Sequence, residues 1–183
     1  MGFEATLLKP DGSFVDANIT RVGENLIVRV RGEGLLNINL VTPSFETIGA
    51  SVRLEKACEV ETEEGKKSRR VDISFVKKAE NEKEVPYIVI EVKTGVETHV
   101  EKGTLEQVEI DAYLVKKHGC TAYYYFNQAP SEKGAMQYLG KIRQVYLKEE
   151  LYGKMFVIIG GGEPVEPTDS SLDAYILEPP GGR

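Results

Sequence analysis

Along the first part of the chain, polar and apolar residues alternate in short runs. Phe3–Leu8, Phe14–Val22, Asn25–Arg31 and Leu35–Val41 each read as a strand, and Asp11-Gly12, Gly23-Glu24 and Gly32–Gly34 punctuate them as turns. The pattern predicts an antiparallel meander of three or four strands. The period then lengthens. Thr42 suits a helix N-cap and Pro43 the first helical position, and Phe45, Ile48, Gly49 and Val52 follow helical spacing, which predicts a helix to about Lys56. Ala57–Thr62, Arg70–Val76 and Pro86–Lys93 read as three strands separated by a turn around Gly65 and a charged turn over Lys77–Glu84. After a polar loop, Leu105, Val108, Ala112 and Val115 form one helical stripe and Gln107, Ile110 and Leu114 a second. This helix is predicted from Thr104, whose spacing to Gln107 fits a capping box, to about Lys117, with Gly119 as its stop. A strand over Thr121–Phe126, a helix over 132–150 and a strand over Lys154–Ile159 complete the pattern. The chain divides into a β-rich meander (1–41), a mixed core (42–162) and a tail rich in Pro, Gly and acids (163–183), in which Leu172–Leu177 could dock back.

Composition narrows the class. With 183 residues, 41% of them hydrophobic, the chain can form one domain, or a domain with an appendage. No apolar run approaches the roughly 18 residues of a membrane span, and no basic-then-apolar leader opens the sequence, so neither membrane nor secretory pathway is expected. Two cysteines, Cys58 and Cys120, make no disulfide framework and no zinc or iron–sulfur set, which fits a reducing cytoplasm. The net charge of −6 argues against indiscriminate nucleic-acid binding. Any such contact must rest on local basic clusters: Lys66–Arg70, Lys116-Lys117, or the group Lys141, Arg143 and Lys148.

The strongest chemical signal lies in residues 70–93. Side chains alternate across a strand, so Tyr87, Val89, Glu91 and Lys93 share one face, while Asp72 is out of phase with Val71, Ile73 and Phe75. Strands this apolar are expected to be buried on both sides, where a charge needs a partner. A bound divalent cation is one such partner, and a lysine two residues from a carboxylate is well placed to act beside it. A buried Asp–Lys–Glu network without turnover is the competing reading.

Asp72, an intervening hairpin and Glu91-Val92-Lys93 resemble the PD-(D/E)xK nuclease signature. Arg69–Ile73 followed by Ile88–Lys93 is similar to the nuclease module of type I restriction motor subunits, to RecB-like nucleases and to archaeal Holliday-junction resolvases. Val71 stands where the family name has Pro. The resemblance implies an α/β (α+β) fold: a restriction-endonuclease-like αβββαβ core, its mixed sheet flanked by helices, after a small antiparallel β region. It implies a Mg²⁺-dependent DNA endonuclease, with Mn²⁺ as substitute. Asp72, Glu91 and the Val92 carbonyl would be metal ligands, with Glu46 (or alternatively Glu55) as the acid from the preceding helix. Lys93 would act on the attacking water or the phosphate, and Gln107, from the following helix, would position Lys93 or a phosphate. Tyr113 fits the family's helix motif only at a wider spacing. DNA is the expected partner, and a homodimer is expected because junction resolution and many restriction reactions use two active sites. The alternative is a catalytically inactive nuclease-fold module that binds DNA or a protein.

Overall fold

The structure, a computed structural model, describes residues 2–8, 14–22, 25–30, 38–41, 51–81, 83–160 and 162–181, and within these the side chains of residue 53 and of residues from 56 onward. Among the described residues nine strands form one sheet: β1 (Gly2–Leu8), β2 (Phe14–Val22), β3 (Asn25–Val30), β4 (Ile38–Val41), β5 (Ser51–Thr62), β6 (Gly65–Lys78), β7 (Glu84–Lys93), β8 (Thr121–Phe126) and β9 (Met155–Ile159). Their order is β4-β3-β2-β1-β5-β6-β7-β8-β9. The first four form the antiparallel meander that the alternation predicts. It meets the rest of the sheet through the parallel pair Leu8–Arg53.

One element departs from expectation. Residues 51–56 are not the end of a helix but the start of β5. The ladder explains this: Val52 pairs with Phe75, Leu54 with Ile73 and Lys56 with Val71, so the apolar run of β6 recruits this segment into the sheet. Val52 and Leu54 satisfy a period of two as well as a helical one, and nonlocal pairing decides between them. Glu55 therefore sits on a strand; Glu46 and the rest of 42–50 lie outside the described residues.

From β5 onward the sheet is mixed. β5, β6 and β7 are antiparallel, whereas β8 runs parallel to both β7 and β9. Parallel neighbours need crossovers, supplied by α1 (Lys102–His118) between β7 and β8 and α2 (Lys133–Lys148) between β8 and β9. Both helices contribute to one buried cluster, with Val108, Leu114, Leu139 and Ile142 packed over Val89, Ala122, Tyr124 and Val157 of the sheet. The described part is thus an α+β assembly in which the five-stranded mixed portion of the sheet, β5 to β9, carries two helices. No helix among the described residues is long and apolar enough to cross a membrane.

α1 starts at Lys102, not Thr104, and Glu101 is its N-cap with no side-chain cap bond, so the Thr104–Gln107 capping box does not form. Its C-terminus follows the sequence: Gly119 adopts a left-handed φ of 67° and donates its N–H to the Val115 carbonyl. The C-terminal segment docks back. A 3-10 turn, Ser170–Tyr175, buries Leu172 in the core, a contribution of about 1.5–3 kcal/mol for a leucine side chain. Arg143 of α2 fastens it by donating to the Pro167 carbonyl at 2.7 Å and to Asp173 at 2.8 Å.

Candidate active site

The ladder between β6 and β7 stops at the pair Ile73–Ile90. Its register places Asp72 across from Glu91. There the Asp72 side chain takes over from the backbone: its Oδ2 accepts the Val92 N–H at 2.8 Å. Asp72 is half-buried, whereas Glu91, one residue before the bonded peptide, is buried. Lys93, one residue after, reaches back along the strand until its Nζ lies 3.6 Å from Glu91 Oε1. The two acids and the amine singled out by the sequence therefore meet where β6 and β7 part.

A second set of groups, absent from the sequence reading, holds Glu91 from behind. Arg69 of β6 is 2% exposed and donates through Nη2 to Glu91 Oε2 at 2.8 Å and through Nε to Asp111 Oδ1 at 2.9 Å. It also donates to the Arg70 carbonyl. Asp111 of α1 is equally buried and accepts the Tyr124 hydroxyl at 2.7 Å. Two signals for this pair were present in the sequence. Asp111 sits three residues after Val108 and four before Val115, inside an apolar stripe, and Arg69 shares the phase of Val71 on a strand that turns inward.

The electrostatics follow from this burial. Burial would by itself weaken the charge on Arg69, but Asp111 and Glu91 more than offset it, so the guanidinium stays protonated. Burial also pushes the Glu91 carboxyl up to about 7; Arg69 and Lys93 pull it down, and Asp72 and Asp111 push it further up. Glu91 is therefore balanced between its two states near neutrality. The Lys93 ammonium lies over the Tyr138 ring, 4.9 Å from its centroid, a cation–π contact that steadies a charge already facing a carboxylate.

Two carboxylates and a backbone carbonyl suit a cation that keeps most of its water. Mg²⁺ binds in this way, through one or two carboxylates at near-octahedral geometry. Among the described residues no cluster of three or more His, Cys, Asp or Glu side chains could hold a metal. A cation held by Asp72 and Glu91 alone would have to keep most of its water.

The remaining candidates divide. Gln107 is half-buried on α1, and its side chain makes no hydrogen bond among the described residues; it is one turn before Asp111, on the side of the helix that leads to Thr104. Tyr113 packs against the core cluster. His99, in the loop before α1, is exposed and lines a cavity of about 190 Å³ beside Lys93, together with Thr94, Thr104, Phe126 and Tyr138. The basic clusters are largely neutralised: Lys66 pairs with Glu59, Lys67 with Glu64, Lys116 with Glu149, Lys141 with Glu109 and Arg143 with Asp173. Of the Lys66–Arg70 run, Arg69 turns inward to the acids and Arg70 stays exposed.

No protein-family model matches the chain, and no curated protein and no solved structure matches it either.

Proposed function

We propose that this chain is a metal-dependent DNA endonuclease that hydrolyses phosphodiester bonds at Asp72, Glu91 and Lys93. One observation carries the reading: the Asp72 carboxylate is bonded to the peptide N–H between Glu91 and Lys93, whose own side chains approach to 3.6 Å. In this reading Asp72 and Glu91 hold Mg²⁺, or Mn²⁺ in its place, with the Val92 carbonyl as a third donor. Bound there, the metal ion would supply an acidified water and a counter-charge for the phosphate. Lys93 places a cation where negative charge grows on the phosphate oxygens and holds the attacking water by hydrogen bond. Arg69 fixes the Glu91 rotamer, leaving Oε1 toward Lys93, and Asp111 fixes Arg69. Gln107 would reach a phosphate from α1. The expected setting is cytoplasmic, with the chain acting as a homodimer on DNA.

The experiment is a cleavage panel of single-stranded, duplex, flap and four-way DNA, with matched RNA, in Mg²⁺, Mn²⁺ or EDTA, alongside a mass measurement in solution. Cleavage that requires the metal and disappears in Lys93→Ala and Asp72→Ala supports the assignment. Full activity of Lys93→Ala on the same substrates overturns it.

A second reading rests on a specific observation. Arg69 already neutralises one oxygen of Glu91 at 2.8 Å, and the surface lysines pair with acids. This favours a non-catalytic module, and one that binds a protein partner over one that binds DNA. Calorimetric titration with Mg²⁺ separates the two: binding that is lost in Asp72→Asn supports the enzyme, and no binding even with DNA present supports the module.

A further inference from the structure

The cavity beside Lys93 has a volume of about 190 Å³, and none of the roles given to Asp72, Glu91 and Lys93 uses it. Lys93 forms part of its wall, and the same ammonium lies 3.6 Å from Glu91 Oε1. A group seated in the cavity is thus the neighbour, across one lysine, of a group bound at the acids.

The lining has two parts. Phe126, Ala135 and Tyr138 are buried and supply apolar and aromatic walls. The Phe126 and Tyr138 rings are fixed edge to face at 6.3 Å, so these walls are preformed. Glu97, His99 and Glu101 are exposed and mark the side that opens to water. The His99 and Thr104 side chains make no hydrogen bond among the described residues, so both are available to a polar edge. An apolar interior with hydrogen-bonding groups at the mouth suits a flat heterocycle. Charge points the same way. Lys93 lines the cavity as a cation and Glu97 and Glu101 as acids, which disfavours a second phosphate and leaves a neutral ring.

Size narrows the ring. A cavity of about 150 Å³ admits benzene. One of about 190 Å³ therefore holds a single six-membered ring with its small substituents, whereas a fused two-ring base overfills it.

We propose that this cavity takes an unstacked pyrimidine base from the nucleotide next to the scissile phosphate, and so makes cleavage selective for pyrimidine over purine at that position. This rests on the nuclease reading above and adds to it a substrate preference that the Asp72, Glu91 and Lys93 pattern does not carry. A base must leave its stack to enter, which costs least where the strand is unpaired. Single-stranded DNA is therefore the favoured form.

The test uses wild type with Mg²⁺ on single-stranded oligonucleotides of purines that carry one dC, and on the same strands with that dC replaced by dG or by an abasic residue. Cleavage next to the dC should exceed cleavage at the same position in the other two by about tenfold or more. Pairing the dC strand with its complement should slow the cut. Val100→Phe and Thr104→Phe, which fill the cavity from the loop and from α1, should lower cleavage next to dC to the level seen with dG, with thermal unfolding checking that both variants fold. Metal-dependent cleavage with no difference among dC, dG and the abasic residue overturns the proposal and leaves the nuclease reading standing. So does a preference for dC that persists in both filled variants, or equal cutting of the single strand and the duplex. No cleavage of any strand by wild type overturns the nuclease reading, and this inference with it.

Discussion

Asp72 accepts the backbone N–H of Val92 through its side chain at 2.8 Å, at the point where the backbone ladder between their strands ends. One carboxylate thereby performs two tasks: it closes a strand pair and presents a charge to Glu91. The two tasks can be separated. Asp72→Asn retains an acceptor oxygen, so its stability should remain within about 1 kcal/mol of wild type, while Mg²⁺ binding and cleavage are lost. Asp72→Ala removes the acceptor as well and should cost about 1.5–3 kcal/mol, the usual worth of a hydrogen bond to a charged group. Urea unfolding and a cleavage assay on the same preparations distinguish these outcomes.

Arg69 joins two buried acids that lie on different elements. It is almost fully buried between Glu91 and Asp111, and removing it leaves two acids facing each other in the core. Arg69→Met should destabilise the protein by about 3–5 kcal/mol, as loss of one partner of a buried pair does. Arg69→Lys should recover only part of this, because one ammonium cannot replace two directed bonds from a planar fork. The exposed pair Lys67–Glu64 provides the control: Lys67→Ala should change stability by less than about 1 kcal/mol. Equilibrium denaturation of all three variants decides the matter.

The contrast between Asp72 and Arg69 shows what could be read before the structure was known. The meander, the two hairpin strands and both helices follow from local periodicity, and Asp72, Glu91 and Lys93 stand out because charges interrupt apolar strands. The Arg69–Asp111–Tyr124 network spans three elements far apart in sequence, and its members look like surface, helix-face and aromatic-strand residues when taken one at a time. Residues 51–56 failed for a related reason: their local pattern permits helix or strand, and the pairing of Val52 with Phe75 and Leu54 with Ile73 is nonlocal. The basic clusters were legible as charge, but their acidic partners in α1, in the turn after α2 and in the C-terminal segment were not.

Glu91 makes a prediction about pH. Its folded value is raised from 4.5 to about 7, so between those values the folded state binds more protons than the unfolded one. The stability linked to this group is therefore fully present below about pH 4.5 and is lost as pH rises through 7. Measured in EDTA, wild type should lose stability relative to Glu91→Gln across this window, and the difference should level off above it. A cation works in the opposite direction, since it needs the ionised carboxylate: Mn²⁺ affinity should rise with pH and flatten above about 7. Parallel unfolding curves for wild type and Glu91→Gln from pH 5 to 8 would contradict the assignment.

Gly134 decides whether the loop beside Lys93 is held by close packing. It lies in the first turn of α2, where alanine would normally gain about 1 kcal/mol in helix propensity. A Cβ built there would fall 2.5 Å from the backbone N and C of His99, and backbone cannot yield as a flexible side chain can. The contact is fixed from both sides, because Gly134 donates its N–H to the Thr98 carbonyl at 3.2 Å and Ala135 donates to Glu97 at 2.9 Å. Overpacking should thus win, and Gly134→Ala should destabilise by about 1–3 kcal/mol. Because the loop carries His99 and lines the cavity at Lys93, cleavage should fall as well, by more than the unfolded fraction accounts for. Gly103→Ala is the matched control: a Cβ there meets nothing within 4 Å, so the ordinary helical gain should appear, with activity unchanged. Thermal unfolding and cleavage rates of the two variants give opposite signs if the packing argument holds, and a stabilised, fully active Gly134→Ala protein would refute it.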